Sequence, residues 1–392
     1  MVALPIYLDN HATTRCDPRV VEAILPYFTR VYGNSASVSH SFGWEAEAAV
    51  EKARDQVAGA LGAEGREIVF TSGATEANNL AIKGSVAFLK KKGNHLITSA
   101  VEHKSVLDPM KRLAREGWDL TIVPPDEFGL VSAESVNAAI TDQTVLVSII
   151  AANNEIGTIN PIGEIGRVCH DRGVVFHTDA TQAVGKVLLD VQRDRIDLLS
   201  LSAHKIYGPK GIGALYVRRR EPQVRLVPLF DGGGHERGMR SGTIPVPLAV
   251  GLGEAVEIAM NERDEEATRV GGLREKLHRG IAERVEQIRL NGHPKKRLPG
   301  NLNLSFAYVG GEALMMAMRD VAVSSGSACT SAEPEPSHVL RAIGLDEDLA
   351  RASLRFGLGR FTTEEEIDFT VGAVSDAVAR LRSHSAIWSS RG

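Results

Sequence analysis

The sequence predicts an α/β protein with a large, doubly wound domain and a smaller α/β domain towards the C-terminus. Short apolar segments rich in β-branched residues recur between residues 67 and 201, as expected for parallel strands covered on both faces. Longer segments with helical periodicity separate them, and this alternation favours a parallel sheet. After Leu252 the composition changes to a long, charged helical pattern, which indicates a second region.

Six predicted strands build the sheet of the large domain. Each is short and almost continuously apolar, and together they cover residues 67–71, 95–99, 120–123, 145–150, 174–177 and 197–201. Between them, residues 44–61 and 162–171 have the apolar spacing of helices that pack one face against a sheet.

The C-terminal region is predicted to begin with a long helix that bridges the two domains. Residues 254–288 are helical in pattern, broken only at Gly271-Gly272, and residues 301–306 and 354–356 are predicted strands. The predicted domains are residues 16–260 (large) and residues 1–15 with 261–392 (small, carrying a loop at about 324–336).

The composition excludes several classes of protein. With 45 Lys and Arg against 49 Asp and Glu, the chain lacks the basic footprint of a nucleic-acid binder, and the short runs Lys90-Lys91-Lys92 and Arg218-Arg219-Arg220 are predicted to be solvated. Three widely spaced cysteines argue against a disulfide framework and against a permanent metal site. No apolar segment approaches the ~20 residues of a membrane helix, and the N-terminus lacks a signal-peptide pattern. We therefore expect a cytoplasmic protein with no membrane partner.

The run Thr71-Ser72-Gly73-Ala74-Thr75 lies between a predicted strand and a predicted helix. Glycine permits a sharp turn, and hydroxyl groups with helix N-terminal amides can surround a phosphate. It is not a P-loop, since no Gly-Lys-Ser/Thr follows. A plain helix N-cap is an equal alternative for this segment alone.

Two further strand ends carry chemistry. Asp179 ends a predicted strand, where α/β sheets bind ligands, although a helix N-cap is the alternative. Lys205 follows the next strand within Ser202-Ala203-His204-Lys205, a position that suits Schiff-base formation better than a surface role. A phosphate cradle, an acid and a lysine are the parts that pyridoxal 5'-phosphate needs: the acid keeps the pyridine nitrogen protonated, and the lysine holds the aldehyde.

With these segments, Tyr7-Leu8-Asp9-Asn10-His11-Ala12-Thr13-Thr14 and Arg355-Phe356-Gly357-Leu358-Gly359-Arg360, the chain resembles the cysteine desulfurases of the NifS/IscS type over nearly its whole length. These are class V members of the fold-type I pyridoxal-phosphate enzymes. The resemblance is closest to the IscS branch. It implies a mostly parallel seven-stranded sheet in the large domain, bound pyridoxal phosphate and a homodimer.

The resemblance also implies residue roles. Lys205 would carry the cofactor, Asp179 would pair with its pyridine nitrogen, and His103 would stack on the ring and handle protons. The other implied cofactor residues are Ala74, Thr75, Ser202, Ala203 and His204 at the phosphate, Asn154 and Gln182 at the phenolate, and Thr243 at the phosphate of the neighbouring subunit.

For the substrate, the resemblance implies Arg355 with Asn154. The physics of Arg355 supports this, because a guanidinium matches a carboxylate bidentately and an arginine inside an apolar strand needs a partner. His103 by itself is more often a structural histidine, but its place beyond a strand end favours the functional role.

Cys329 lies in Ser324-Ser325-Gly326-Ser327-Ala328-Cys329-Thr330-Ser331, and the small residues around it predict an exposed loop. Cys169, within a helical pattern, and Cys16 are expected to be structural. The run around Cys329 resembles the desulfurase group that hands sulfur directly to acceptor proteins. The Arg-x-Gly-His-x-Cys pattern of the other group is absent.

The resemblance thus implies conversion of L-cysteine to L-alanine and a persulfide on Cys329. The persulfide would go to an IscU-like iron–sulfur scaffold protein and to other acceptors, such as those of tRNA thiolation, and Cys329 would transiently ligate a cluster shared with the scaffold. The alternatives are a class V aminotransferase, a selenocysteine lyase and a non-catalytic sulfur-relay protein. Asn10-His11 and Arg15-Cys16 depart from the Tyr-Ser and Pro-Val often found in the family, and the sequence alone assigns no chemical consequence to them.

Overall fold

The computed structural model describes residues 2–325, 336–384 and 388. The strands are β1 (Ile6–Tyr7), β2 (Ile68–Thr71), β3 (His95–Ser99), β4 (Asp119–Val123), β5 (Thr144–Ser148), β6 (Val175–Asp179), β7 (Leu198–Ser202), β8 (Gly213–Val217), β9 (Ile288–Leu290), β10 (Asn301–Phe306), β11 (Val321–Ala322) and β12 (Ser353–Gly357). The α-helices are α1 (Pro18–Ile24), α2 (Pro26–Thr29), α3 (Ser41–Leu61), α4 (Ala74–Asn79), α5 (Ser85–Leu89), α6 (Lys104–Arg115), α7 (Ala133–Ala139), α8 (Ile162–Asp171), α9 (Val246–Ala282), α10 (Gly311–Ala317), α11 (His338–Ala342), α12 (Glu347–Arg351) and α13 (Glu364–Ser383).

A seven-stranded sheet forms the centre of the molecule, in the order β2-β8-β7-β6-β5-β3-β4. Only β8 runs antiparallel to its neighbours within this sheet, so the predicted mostly parallel α/β architecture is confirmed. The six predicted strands match observed strands with ends displaced by at most two residues. The C-terminal region forms a second sheet, β12-β10-β9, and its strand β11 pairs in parallel with β1 from the N-terminal segment.

Two large apolar cores and two smaller apolar clusters, which include residues of the central strands, are buried among the described residues. One large core surrounds the central sheet and includes the buried Cys169, while the other joins Ile6 and Leu8 to β10, β12 and α13. Helix α9 contributes to both, with Val246–Ile258 side chains in the first core and those of residues 270–281 in the second. Residues 339–350 pack into the first core although they lie far along the chain. The predicted domain boundaries stay a prediction.

Two local predictions are wrong. Helix α9 continues through Gly271-Gly272, where a Cβ would meet no other atom, so the exposed glycines lower helix propensity without breaking the helix. Arg218, predicted to be solvated, is buried beside Asp197, with a 3.0 Å ion pair and hydrogen bonds to the carbonyls of Val191 and Ile196.

Within the described ranges, no helix is long and apolar enough to cross a membrane. The same residues hold no group of three or more His, Cys, Asp or Glu side chains placed to bind a metal ion. The predicted site residues Asp179 and Lys205 instead lie at the carboxyl ends of β6 and β7, where ligands bind in parallel sheets.

Candidate active site

Asp179 lies at the carboxyl end of β6 with only 3% of its surface exposed. Its Oδ2 accepts a 2.8 Å hydrogen bond from Asn78 Nδ2, and its Oδ1 accepts a 3.0 Å bond from the Thr181 amide. The bond to Thr181 closes a local turn, and because residues 181–186 form turns and not a helix, the N-cap alternative for Asp179 is wrong. The bond to Asn78, on α4, orients the same carboxylate towards the turn that follows β2.

Lys205 ends a 3₁₀ turn, Ala203–Lys205, that directly follows β7. Its Nζ donates to the carbonyls of His11 and Ala12 at 2.6 and 2.7 Å. The segment Tyr7 to Thr14 therefore covers the lysine, and Lys205 is not a solvated surface side chain. These two carbonyls hold Nζ in place. The lysine amine must break the hydrogen bonds to them before it can react.

The turn between β2 and α4 forms a cradle of backbone. Gly73 has φ = +150°, and a Cβ placed on Gly213 of β8 would lie 2.8 Å from Gly73 Cα, so the two glycines permit a close backbone contact. Ala74 and Thr75 begin α4, where the first amides have no partner within the helix. Ser202 faces this turn, with its Oγ 3.8 Å from the position of a Cβ on Gly73.

The surroundings of the cradle are cationic. Burial, together with Lys205 and Lys210, lowers the pKa of His204 to about 4. His204 Nδ1 lies 3.1 Å from Thr13 Oγ1, and the neighbouring Ala203 is fully buried. A neutral histidine among lysines, beside unpaired helix amides, suits a phosphate dianion.

His103 is the N-cap of α6. Its Nδ1 accepts the Ser105 amide at 3.1 Å and lies 2.7 Å from Ser105 Oγ, so the neutral ring carries its proton on Nε2. Burial lowers the pKa of His103. Ser105 Oγ also accepts Asn78 Nδ2 at 2.8 Å, which links His103 to the amide that binds Asp179.

Gln182 and Asn154 occupy different sides of the site. Gln182 Nε2 donates to the His11 carbonyl at 2.9 Å, close to Lys205. The Asn154 carbonyl accepts Arg355 Nη1 at 3.0 Å. Thr243 lies on the exposed surface of the chain, outside these contacts.

Arg355, in the middle of β12, is 4% exposed. Its Nη2 forms a 2.9 Å ion pair with Asp9 Oδ1, in addition to the bond from Nη1 to Asn154. The buried guanidinium therefore has an acidic partner within the chain, and the role of Arg355 in binding a substrate carboxylate stays a prediction. Because Asp9 and the Asn154 carbonyl hold the two terminal nitrogens, the guanidinium has a fixed orientation.

Cys329 lies outside the described residues, but both described flanks of residues 326–335 end at this site. Ser324 exchanges main-chain hydrogen bonds with Arg355, at 2.7 and 3.3 Å. On the other side, Ser337 Oγ donates to Glu155 Oε2, and His338 Nε2 donates to the Glu102 carbonyl at 2.9 Å. Burial raises the pKa of Glu155 to about 7 and that of Glu102 to about 8.

The residues present fit pyridoxal phosphate. Within the described part of the chain, four buried polar atoms around Asp179, Lys205 and Arg355 lack a hydrogen-bond partner: Asn78 Oδ1, Thr181 Oγ1, His11 Nε2 and Arg355 Nε. Native structures leave few such atoms, and their grouping indicates a polar ligand. Acid, lysine and glycine-lined cradle match the ring nitrogen, aldehyde and phosphate of that ligand.

Sequence reasoning missed four residues of this site: Asp9, His11, Asn78 and Ser105. Asp9 stands inside a segment already singled out, and Asn78 lies three residues beyond another, so a polar side chain close to each of these segments was an available signal. Ser105 lies in the first turn of α6, and a serine near the start of a predicted helix is an available sequence signal. His11 has no sequence signal beyond its departure from the family pattern.

The chain was then compared with known proteins. The family described as "Aminotransferase class-V" matches residues 6–369. "Cysteine desulfurase IscS" of Anaeromyxobacter dehalogenans (strain 2CP-C) is 57% identical over 385 residues, covering 98% of this chain and 95% of the relative. Among solved structures, a "NifS-like protein" has a TM-score of 0.89 at 37% identity, covering 96% of this chain and 100% of that one. "SspA in complex with cysteine" has a TM-score of 0.81 at 39% identity, covering 91% and 100%.

Proposed function

This chain belongs to the aminotransferase class-V family and, within it, to the cysteine desulfurases, and from that membership we propose that it removes sulfur from L-cysteine, giving L-alanine and a persulfide on Cys329. It is a pyridoxal-phosphate enzyme. One observation carries the proposal: the Lys205 site and the Arg355 clamp lie together with both described flanks of the Cys329 segment.

Bound pyridoxal phosphate supplies the electron sink for the reaction. In the proposed arrangement Lys205 holds its aldehyde, and Asp179, oriented by Asn78, faces its ring nitrogen. The other residues proposed to hold the cofactor are Ala74, Thr75, Ser202, Ala203 and His204 at the phosphate, with Gln182 and Asn154 at the phenolate.

The proposed chemistry divides between the two sides of the site. Arg355 binds the substrate carboxylate, and Lys205 moves the proton at the substrate Cα. The Cys329 thiolate then forms a bond to the substrate sulfur while the carbon–sulfur bond breaks, and the electron pair left on carbon takes up a proton to complete the methyl group of alanine. A thiol with an ordinary pKa of ~8.5 is largely protonated at neutral pH, so a base must assist.

His103 is the proposed proton-handling group. In the observed arrangement its Nδ1 accepts the Ser105 amide, so the ring can take up a proton only when it turns away from that amide. Its Nε2–H is meanwhile a hydrogen-bond donor towards the site.

The persulfide is proposed to pass to an IscU-like iron–sulfur scaffold protein and to other acceptors, including a tRNA-thiolation relay, with Cys329 transiently ligating a shared cluster. Ser324 precedes Cys329 by five positions, a tether of at most about 18 Å at ~3.5 Å per residue. The proposed compartment is the cytoplasm, where cysteine thiols stay reduced. Cys16 and Cys169 are free thiols, in keeping with that compartment.

The proposed assembly is a homodimer, to which Thr243 contributes a contact with the phosphate in the other subunit. Support comes from a large apolar surface on residues 25–44, where Phe28, Tyr32 and Trp44 are 56%, 64% and 55% exposed. Such patches mark protein interfaces. Light scattering should give twice the chain mass for the wild type and the single-chain mass for Phe28→Glu/Trp44→Glu; a monomeric wild type contradicts the proposal.

The function is tested by measuring alanine and sulfide released from L-cysteine in the presence of dithiothreitol. We expect equal amounts of both from the wild type and from the control Cys169→Ala, and none from Cys329→Ala with its cofactor absorption intact. Full alanine production by Cys329→Ala would remove this cysteine from the mechanism. Amino transfer to keto acids without sulfide release would replace the desulfurase by an aminotransferase.

A further inference from the structure

His11 contributes two polar groups to the active site. It is 3% exposed and lies in the segment that covers Lys205. Its carbonyl accepts Lys205 Nζ at 2.6 Å and Gln182 Nε2 at 2.9 Å. Its ring turns back towards the same glutamine, with Nδ1 3.1 Å from Gln182 Oε1. Backbone and ring together therefore bracket the Gln182 amide.

These contacts determine the tautomer of the ring. Gln182 Nε2 faces a carbonyl, and Gln182 Oε1 accepts Lys186 Nζ at 3.2 Å, so two independent partners set the orientation of the amide. His11 Nδ1 must then be the donor to Gln182 Oε1, which leaves the lone pair of the neutral ring on Nε2. Burial, with Lys186, Arg355 and Lys205 nearby, lowers the pKa of His11 well below its usual value, so the ring stays neutral.

The lone pair lies on the side of β12 that carries the substrate clamp. His11 Cδ2, the ring atom bonded to Nε2, would be 3.1 Å from a Cβ on Gly357. Gly357 is two residues from Arg355 and therefore on the same face of the strand. Among the residues that the structure describes, neither His11 Nε2 nor Arg355 Nε has a hydrogen-bond partner, and both atoms are buried.

An amino acid carries a hydrogen-bond donor, its α-amino group, beside an acceptor, its α-carboxylate. The buried acceptor His11 Nε2 and the buried donor Arg355 Nε match these two groups. We propose that His11 Nε2 accepts a hydrogen bond from the α-amino group of the substrate while Arg355 binds its α-carboxylate. This inference rests on the proposed function and adds a second contact to the same substrate. Because cations surround the ring, the site favours the neutral amine, which is the nucleophilic form, over the ammonium.

Two variants separate the functions of the two ring nitrogens. The amide of His11→Asn reaches the position of Nδ1, so it keeps the donor to Gln182 and lacks the acceptor. The amide of His11→Gln reaches the position of Nε2, so it restores the acceptor and loses the donor. Binding of L-alanine and of 3-mercaptopropionate, which lacks the amine, is measured by calorimetry on cofactor-loaded enzyme.

For His11→Asn we expect L-alanine to bind about tenfold more weakly and 3-mercaptopropionate to bind as in the wild type. His11→Gln should bind both within twofold of wild type. Equal weakening of both ligands by His11→Asn, no weakening of L-alanine, or failure of His11→Gln to restore binding would each overturn the proposal.

A measurement on the wild type covers the case in which a variant does not fold. Nitrogen NMR of ¹⁵N-histidine enzyme should show His11 neutral and protonated on Nδ1, with the Nε2 resonance shifted by L-alanine and unmoved by 3-mercaptopropionate. A proton on Nε2, or an equal response to both ligands, contradicts the assignment. If the wild type binds L-alanine as expected but releases no sulfide from L-cysteine, the desulfurase function fails while the amine contact stands.

Discussion

The proposed cofactor side and the proposed substrate side of the active site are built in different ways. On the cofactor side, Asp179 and Lys205 stand at the ends of neighbouring parallel strands of one sheet. On the substrate side, Arg355 takes its partner Asp9 from a segment 346 residues away. Main-chain hydrogen bonds support both sides, since the segment around Asp9 bonds to Gly357 through backbone groups. The clamp differs because its guanidinium takes its orientation from an ion pair with a residue of a remote segment.

The difference predicts which side tolerates change. The cofactor side is supported by a hydrogen-bonded sheet, so loss of one side chain there removes chemistry and leaves the site in place. On the substrate side the backbone is hydrogen-bonded too, but Asp9 and the Asn154 carbonyl orient the guanidinium, so loss of one partner also disturbs the others. Variants on the two sides should therefore separate into losses of chemistry and losses of binding.

The largest effect is expected for Lys205→Ala on the cofactor side. Lys205 is the amine proposed to hold the aldehyde and to move the Cα proton, so without it alanine production should fall by at least ~1,000-fold, and the visible absorption of the lysine-bound cofactor should disappear. Lys91→Ala serves as the control, since Lys91 is exposed and makes none of the contacts described for the site. A retained visible band would place the cofactor anchor elsewhere.

Arg355→Lys tests the substrate side. A lysine keeps the charge and loses the planar donors that Asp9 and the Asn154 carbonyl orient, so we expect KM for L-cysteine to rise about 100-fold with cofactor absorption unchanged. The exposed Arg351→Lys on the preceding helix should leave KM unaltered. A loss confined to kcat would mean that Arg355 acts on the chemistry and that the two sides are not separable.

Glu102→Gln tests the place where the chain after residue 335 contacts the active site. There His338 Nε2 donates a hydrogen bond to the Glu102 carbonyl. Burial raises the pKa of Glu102 to about 8, so the folded protein holds a proton that the unfolded chain releases above its ordinary pKa. The contribution of Glu102 to stability should therefore fall as pH rises from 5 to 8, and Glu155 acts in the same direction. The neutral His11, His103 and His204 act in the opposite direction over the lower part of this range, so the test is the difference between variant and wild type. In urea titrations the variant should lose roughly 2 kcal/mol less over this range, while the exposed Glu127→Gln follows the wild type.

The sequence predicts the cofactor side better than the substrate side. Residues such as Asp179 and Lys205 follow recognisable strands, and local periodicity is enough to place them. The Asp9–Arg355 pair, the Asn78–Asp179 bond and the orientation of His11 depend on contacts between remote segments, which periodicity does not encode. The burial of Arg218 was missed for the same reason, since its partner Asp197 lies on a neighbouring strand.

The prediction for helix α9 failed for a different reason, because packing contacts outweighed the local helix propensity. Local propensity placed a break at Gly271-Gly272, but α9 runs through both glycines because its flanking segments are anchored in two cores. Tertiary packing overrides a propensity cost of about 1 kcal/mol per glycine.

The 37 residues of α9 make a rod about 55 Å long, at 1.5 Å per residue, that packs against α3 at one end and α13 at the other. Unfolding of either end of α9 would expose apolar side chains there, while the other end of the same helix still packs in the opposite core. Thermal denaturation of the chain should therefore show one cooperative transition instead of two. Heat would then release the cofactor and expose the C-terminal core at the same temperature.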